Sequence, residues 1–209
     1  MKKLAIFGGV FLLVVLILIL SMVSGYNRIV GLSQATDSRW ADVQAAYQRR
    51  ADLIPNLVQT VQGNADFEKS TLTQIADARA SVGRVTISQS QAPTDAAQLQ
   101  EFNKAQGQLG TALSRLMAVS ENYPQLRANE AFRGLQAQLE GTENRINVAR
   151  GDFNQAVQGY NTSIQRFPAA LYAGMFNFHS KPYFQATEQA QTAPQVKFDF
   201  RTPAPATQK

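Results

Sequence analysis

Cysteine is absent from the 209 residues and histidine occurs once, as His179. Without thiolates or a second imidazole, the usual multi-histidine and thiolate metal sites cannot be assembled, and no disulfide can form. His179 stands beside Ser180, but a Ser–His pair needs a third, orienting group, and none is in view. No glycine-rich phosphate loop occurs; Gly8, Gly9 and Gly25 belong to an apolar segment and its edge. Charge of one sign is also scarce. The formal net charge is +5, of which Lys2 and Lys3 supply two, leaving +3 spread singly over the rest. No basic block is available to hold nucleic acid. These absences give the expectation of no catalytic residue, no metal, no cofactor, no small-molecule substrate and no enzymatic activity. Proline is rare too: between residues 25 and 165 only Pro55, Pro93 and Pro124 occur. Together with abundant alanine and glutamine, that favours long helices.

What is present begins with an apolar run. Leu4 to Val23 carries no charged residue, and Phe11 to Leu20 is only Phe, Leu, Val and Ile. Twenty residues at the helical rise span roughly 30 Å, the hydrocarbon thickness of a bilayer. A cleaved signal peptide has a shorter apolar core, about 7–15 residues, and Val23-Ser24-Gly25 is a poor cleavage site. The run reads as a retained single-pass transmembrane anchor over 4–24. Residues 1–3 then form a short cytoplasmic end. Lys2, Lys3 and the terminal amine against Arg28 and Arg39 place the body outside the cytoplasm, in the periplasm or on the extracellular side.

Residues 25–166 read as an antiparallel helical bundle. Ile29, Leu32, Thr36, Trp40, Val43, Tyr47, Ile54, Leu57 and Val61 follow three- and four-residue steps, so the anchor continues into the first soluble helix. Pro55 should bend this helix rather than end it, since the stripe resumes at Leu57. Phe67, Leu72, Ile75, Arg79 and Val82 continue it or begin a second helix. Residues 83–94 read as a loop, and Asp95 with Gln98 as a capping box. Leu99, Phe102, Gln106, Leu109, Leu113, Leu116, Ser120 and Tyr123 mark another helix, stopped by Pro124. Phe132, Leu135, Leu139, Thr142, Ile146, Ala149, Phe153, Ala156, Tyr160 and Ile164 mark the last, stopped by Pro168. The fold class is all-α: a transmembrane helix running into an up-and-down, coiled-coil-like bundle of about four helices.

The polar residues Arg49, Arg50, Asp52 and Asn56 gather around Pro55. Arg49, Asp52 and Asn56 share one helix face, whereas Arg50 falls on the apolar stripe. An interhelical ion pair is the simpler use of Arg50, with Glu140 or Glu143 as partner; recognition of an anionic ligand or a protein is the alternative. Trp40 reads as core. Residues 167–200 form an irregular aromatic segment, and 201–209 a disordered tail. Leu171, Tyr172, Met175, Phe176, Phe178, Tyr183 and Phe184 are too apolar to leave in water. They either cap the bundle's own end or form a self-association surface. Val196, Phe198 and Phe200 alternate as in an extended strand.

Tyr26-Asn27-Arg28-Ile29-Val30, Trp40, the run Gln48 to Val58, Ala78-Arg79-Ala80, Glu121 to Pro124 and Asn161 to Pro168 carry a resemblance. In these the chain resembles the LemA family of bacterial membrane proteins over about residues 25–185. The resemblance implies a single-span protein of the cytoplasmic (inner) membrane with an antiparallel, mostly four-helix body, and a part in organising membrane or envelope. Asn64 to Phe67 departs from the family's pattern, where a small residue and a histidine are expected before Glu68. The expected function is that of a membrane-anchored helical scaffold of the cell envelope. It would act by protein–protein contact as a homo-oligomer, with envelope proteins as further partners. The alternative is an adaptor or regulator of a membrane enzyme such as a protease.

Overall fold

Nothing in the first sixty residues stops a helix, and none stops. The computed structural model describes residues 2–63, 68–85 and 91–185; helix α1 runs from Lys2 to Gln62, about 90 Å at the helical rise. From Ile6 to Val23 its large apolar side chains stand open, Val14 at 47 % and Phe7 at 75 %, save the half-buried Val15 and Met22. This is one segment long and apolar enough to cross a membrane. Beyond it the same helix acquires a buried face at Ile29, Thr36, Trp40, Val43, Tyr47, Ile54, Leu57 and Val61. Pro55 lies inside α1 without ending it. Its missing N–H releases the Ala51 carbonyl, but Ile54, Leu57 and Val61 bury on one side and hold the last turns in place.

Helix α2 is Lys69–Arg84, α3 Ala96–Ser120, α4 the single turn Pro124–Ala128, and α5 Glu130–Gln165. Residues after Gln62 thus start a second helix. Its buried positions are Thr71, Ile75 and Ala78. Arg79, expected on that stripe, is exposed instead, because the buried face runs one position earlier. Asp95 caps α3 by accepting from the Ala97 N–H at 2.8 Å. That helix stops at Ser120, short of the expected Tyr123, and Pro124 opens α4 at its first position, where a missing N–H costs nothing. Asn129 Oδ1 accepts from the N–H groups of Ala131 and Phe132 at 2.9 and 3.2 Å and starts α5. On α5 the buried stripe passes through Val157, not Ala156. The described residues contain no strand; residues 64–67 and the alternation at 196–200, with the tail after it, lie outside them.

The core is three clusters stacked along a rod. Farthest from the apolar segment, Leu53 to Val61 of α1 meet Ile75 and Ala78 of α2, Leu109 to Leu116 of α3, and Phe132 to Leu139 of α5. In the middle Trp40, Val43 and Tyr47 meet Leu99 and Phe102 of α3 and Ile146 to Val157 of α5. Nearest the apolar segment Ile29 meets Tyr160 and Ile164. Position in these clusters gives the directions: α1 and α3 run outward, α2 and α5 return, an up-and-down bundle of four helices. The α2–α3 hairpin does not reach the basal cluster. Ala169, Tyr172 and Ala173, with Phe178 against them, fill the space there, after a single 3-10 turn at Ala169–Leu171.

Candidate functional site

Arg50 sits where α1, α3 and α5 meet, and it is 5 % exposed. One guanidinium nitrogen donates to Glu143 Oε2 of α5 at 3.0 Å. The other donates to the Gln106 side-chain carbonyl at 2.5 Å and to its backbone carbonyl at 3.2 Å. The guanidinium carbon lies 5.1 Å from the Tyr47 ring centre. Arg50 Nε is buried and has no hydrogen-bond partner among the described residues. So the buried arginine is held by two other helices, with one of its donors left over. Glu143 is 53 % exposed, so water screens this ion pair from one side. Burial holds the Tyr47 phenol above its ordinary value, with Arg150 and Arg50 pulling the other way.

The other residues expected around Pro55 do not join Arg50. Arg49, Asp52 and Asn56 are exposed, and Asp52 accepts from Gln48 Nε2 at 2.7 Å. A cleft of about 810 Å³ opens beside Arg50 between α1 and α2, walled by Tyr47, Gln48, Arg79, Ala80, Val85 and Gln106. His179 is exposed and its Nε2 meets Asn177 Oδ1 at 2.8 Å.

The aromatic segment divides. Tyr172 and Phe184 are buried, Phe178 is half-buried, and Leu171, Met175, Phe176 and Tyr183 are exposed. The Phe184 ring stacks on Trp40 at 6.1 Å and meets Phe153 edge-on at 5.5 Å, completing the middle cluster. Two asparagines, seven residues apart on α5, hold the segment in place. Asn161 Nδ2 donates to the Lys181 carbonyl, and Asn161 Oδ1 accepts from the Lys181 N–H, both at 2.9 Å. Asn154 makes the same two bonds to Phe184, both at 2.9 Å. Arg150 covers the Phe184 ring at 4.6 Å. The chain therefore turns at the base and runs back outward along α5.

Lys181 itself is 7 % exposed. Its Nζ donates to Asp37 Oδ1 at 2.9 Å and to Ser33 Oγ at 3.2 Å, and lies 5.3 Å from the Tyr160 ring centre. Asp37 Oδ1 also accepts from the Ala92 N–H at 2.8 Å. One carboxylate thus ties down both the loop before α3 and the returning segment. Sequence periodicity does not reveal Asp37, Asn154, Asn161 or Lys181, since each of their ties joins a helix to a segment without a repeat. The one available signal is that Asn154 and Asn161 share a face of α5 beside its apolar stripe.

An apolar helix that continues into a four-helix rod, pinned by a buried arginine and closed by its own aromatic segment, defines a membrane-associated helical-bundle protein. This chain belongs to the LemA family, whose family model matches residues 39–198. Among its relatives is the magnetosome protein MamQ 2 of Paramagnetospirillum magneticum, 26 % identical over 83 % of this chain and 70 % of its own length. MamQ of Magnetospirillum gryphiswaldense is 23 % identical over the same shares. Protein LemA of Metamycoplasma hominis is 21 % identical over 70 % of this chain and 62 % of its own length.

Proposed function

We propose that this protein is a non-enzymatic, single-span scaffold of the bacterial inner membrane that assembles with copies of itself and organises membrane or envelope components. The observation that carries the reading is the unbroken α1. One helix holds the apolar segment and a buried face that enters all three core clusters, so the body is set rigidly against the membrane rather than hung on a linker. The buried polar ties at Arg50 and Lys181 fix the register of the helices, which suits a part that keeps its shape. The relatives named as magnetosome proteins agree with a membrane-associated protein. On this reading the N-terminus is cytoplasmic and the body lies outside.

The chain has no cysteine of its own, which makes the test direct. Single cysteines replace Val148 on α5 and Tyr183, exposed by 64 % and 42 %, and native membranes are oxidised. Self-assembly gives a disulfide-linked species of twice the monomer mass from at least one position. Adducts only with another protein would replace the scaffold by an adaptor for a membrane enzyme.

A further inference from the structure

We propose that the base of the rod is a binding site for an anionic phospholipid, with Arg28 and Arg166 taking the headgroup phosphate and Phe167, Leu171 and Met175 seated among the acyl chains. The site lies outside the Arg50 and Lys181 centres and does not depend on the scaffold reading. A cleft of about 680 Å³ opens here between α1 and the end of α5. Arg28, Arg166, Ser24, Thr162, Ser163 and Tyr172 line it, and no Asp or Glu among the described residues does. The carbonyl end of α5 brings roughly half a negative charge to this place, and two guanidinium groups exceed it, so the cleft is a net anion trap. Tyr172 supplies an independent sign of a missing ligand. The residue is 7 % exposed, and its buried hydroxyl has no hydrogen-bond partner among the described residues. It rests against Gly25, where a Cβ would strike it.

Depth decides between a lipid and a free anion. Ser21, within the apolar segment, is part of the cleft wall, and Met22 packs against the Tyr172 and Ala173 cluster. Tyr26 meets Phe176 and Phe178 at 5.2 and 5.4 Å. The returning segment therefore reaches the level where the apolar run ends. At that level Phe167, Leu171 and Met175 are 81 %, 71 % and 82 % exposed. Such side chains in water would be an uncovered patch, but at the boundary of headgroups and acyl chains they are at home. Arg28 lies five residues past Val23, about 7.5 Å along the helix, which is headgroup depth. The charge and the apolar side chains thus face the two ends of one phospholipid.

The test uses the full-length protein in a mild non-ionic detergent. Phosphatidylglycerol, phosphatidylcholine with the same acyl chains, and inorganic phosphate are titrated separately. Bound lipid is read by native mass spectrometry and the melting midpoint by circular dichroism. Phosphatidylglycerol should be retained and raise the midpoint, phosphatidylcholine at least tenfold more weakly. Arg28→Gln and Arg166→Gln, both at exposed positions that leave the core intact, should each weaken phosphatidylglycerol about fivefold and together remove the preference. Tyr172→Phe keeps the ring and should leave the lipid-free midpoint unchanged or higher while reducing the lipid-induced rise. Equal retention of the two lipids, or an undiminished preference in the double variant, overturns the proposal. Protection by inorganic phosphate as strong as by phosphatidylglycerol overturns it as well, and assigns the cleft to a free anion.

Discussion

Replacing Arg50 by alanine probes the join of α1, α3 and α5. The side chain supplies the donors to two Gln106 oxygens and to Glu143 Oε2. Gln106 is 6 % exposed, so its oxygens stay buried once Arg50 is gone, at about 1–3 kcal/mol for an unmet buried acceptor. The contact with the Tyr47 face adds about 1 kcal/mol. Glu143 turns back to water at little cost because it is 53 % exposed. Against these losses, removal of the guanidinium relieves its own desolvation and the unpaired Nε. The net loss is about 3 kcal/mol, or about 6–12 °C in melting midpoint for a body of this size. Thermal circular dichroism of the full-length protein in mild detergent reads it, with Arg49→Ala at the exposed neighbouring position as control. A midpoint for Arg50→Ala within 1 °C of the parent, or an equal loss in the control, would mean that Arg50 does not hold the three helices together.

Other outcomes follow from the same packing. Phe184→Ala should cost about 3–5 kcal/mol and move the emission of Trp40, the single tryptophan, to longer wavelength, because its stacked ring becomes water. Paired Asn154→Ala and Asn161→Ala changes should speed hydrogen exchange at the Lys181 and Phe184 amides at least tenfold while α5 stays protected. Burial raises the phenols of Tyr47 and Tyr160, at Tyr160 with help from Asp37. Unfolded chains lose these protons from about pH 10 upward and the folded chain only later, so this stability is complete below pH 10 and falls above it. Melting midpoints across pH 9–11.5 should show the fall, and Tyr47→Phe should make it shallower. Gly25→Ala should lower the midpoint through its clash with the Tyr172 hydroxyl, and Tyr172→Phe should restore part of the loss.

Periodicity made the helices legible, because a buried face recurs every three or four residues whatever lies against it. It also placed Arg50 inward, and Glu143 was one of two acidic residues in reach once α5 was known to run back along α1. Gln106 stood on the α3 stripe, but its pairing with Arg50 needs the rotation of α3, which no single stripe contains. The aromatic segment was legible as apolar and not as to what it covers. Its place follows from lengths: α2 and α3, at 16 and 25 residues, are shorter than the 36 of α5, so two helices alone are left at the base. Phe184 beside Trp40 and the asparagine clasps at Lys181 and Phe184 answer that gap. Truncating the chain after Pro168 would therefore remove core, and exposed single positions probe assembly more cleanly.

The proposed function has this rod assembling with copies of itself in the membrane. The mass of the full-length protein, purified in mild detergent and measured by sedimentation with the detergent subtracted, tests it most directly. Self-assembly gives a homomeric particle of two or more chains of 22.9 kDa that persists on dilution. A particle of one chain, found alone or with a membrane enzyme in fixed ratio, would contradict it.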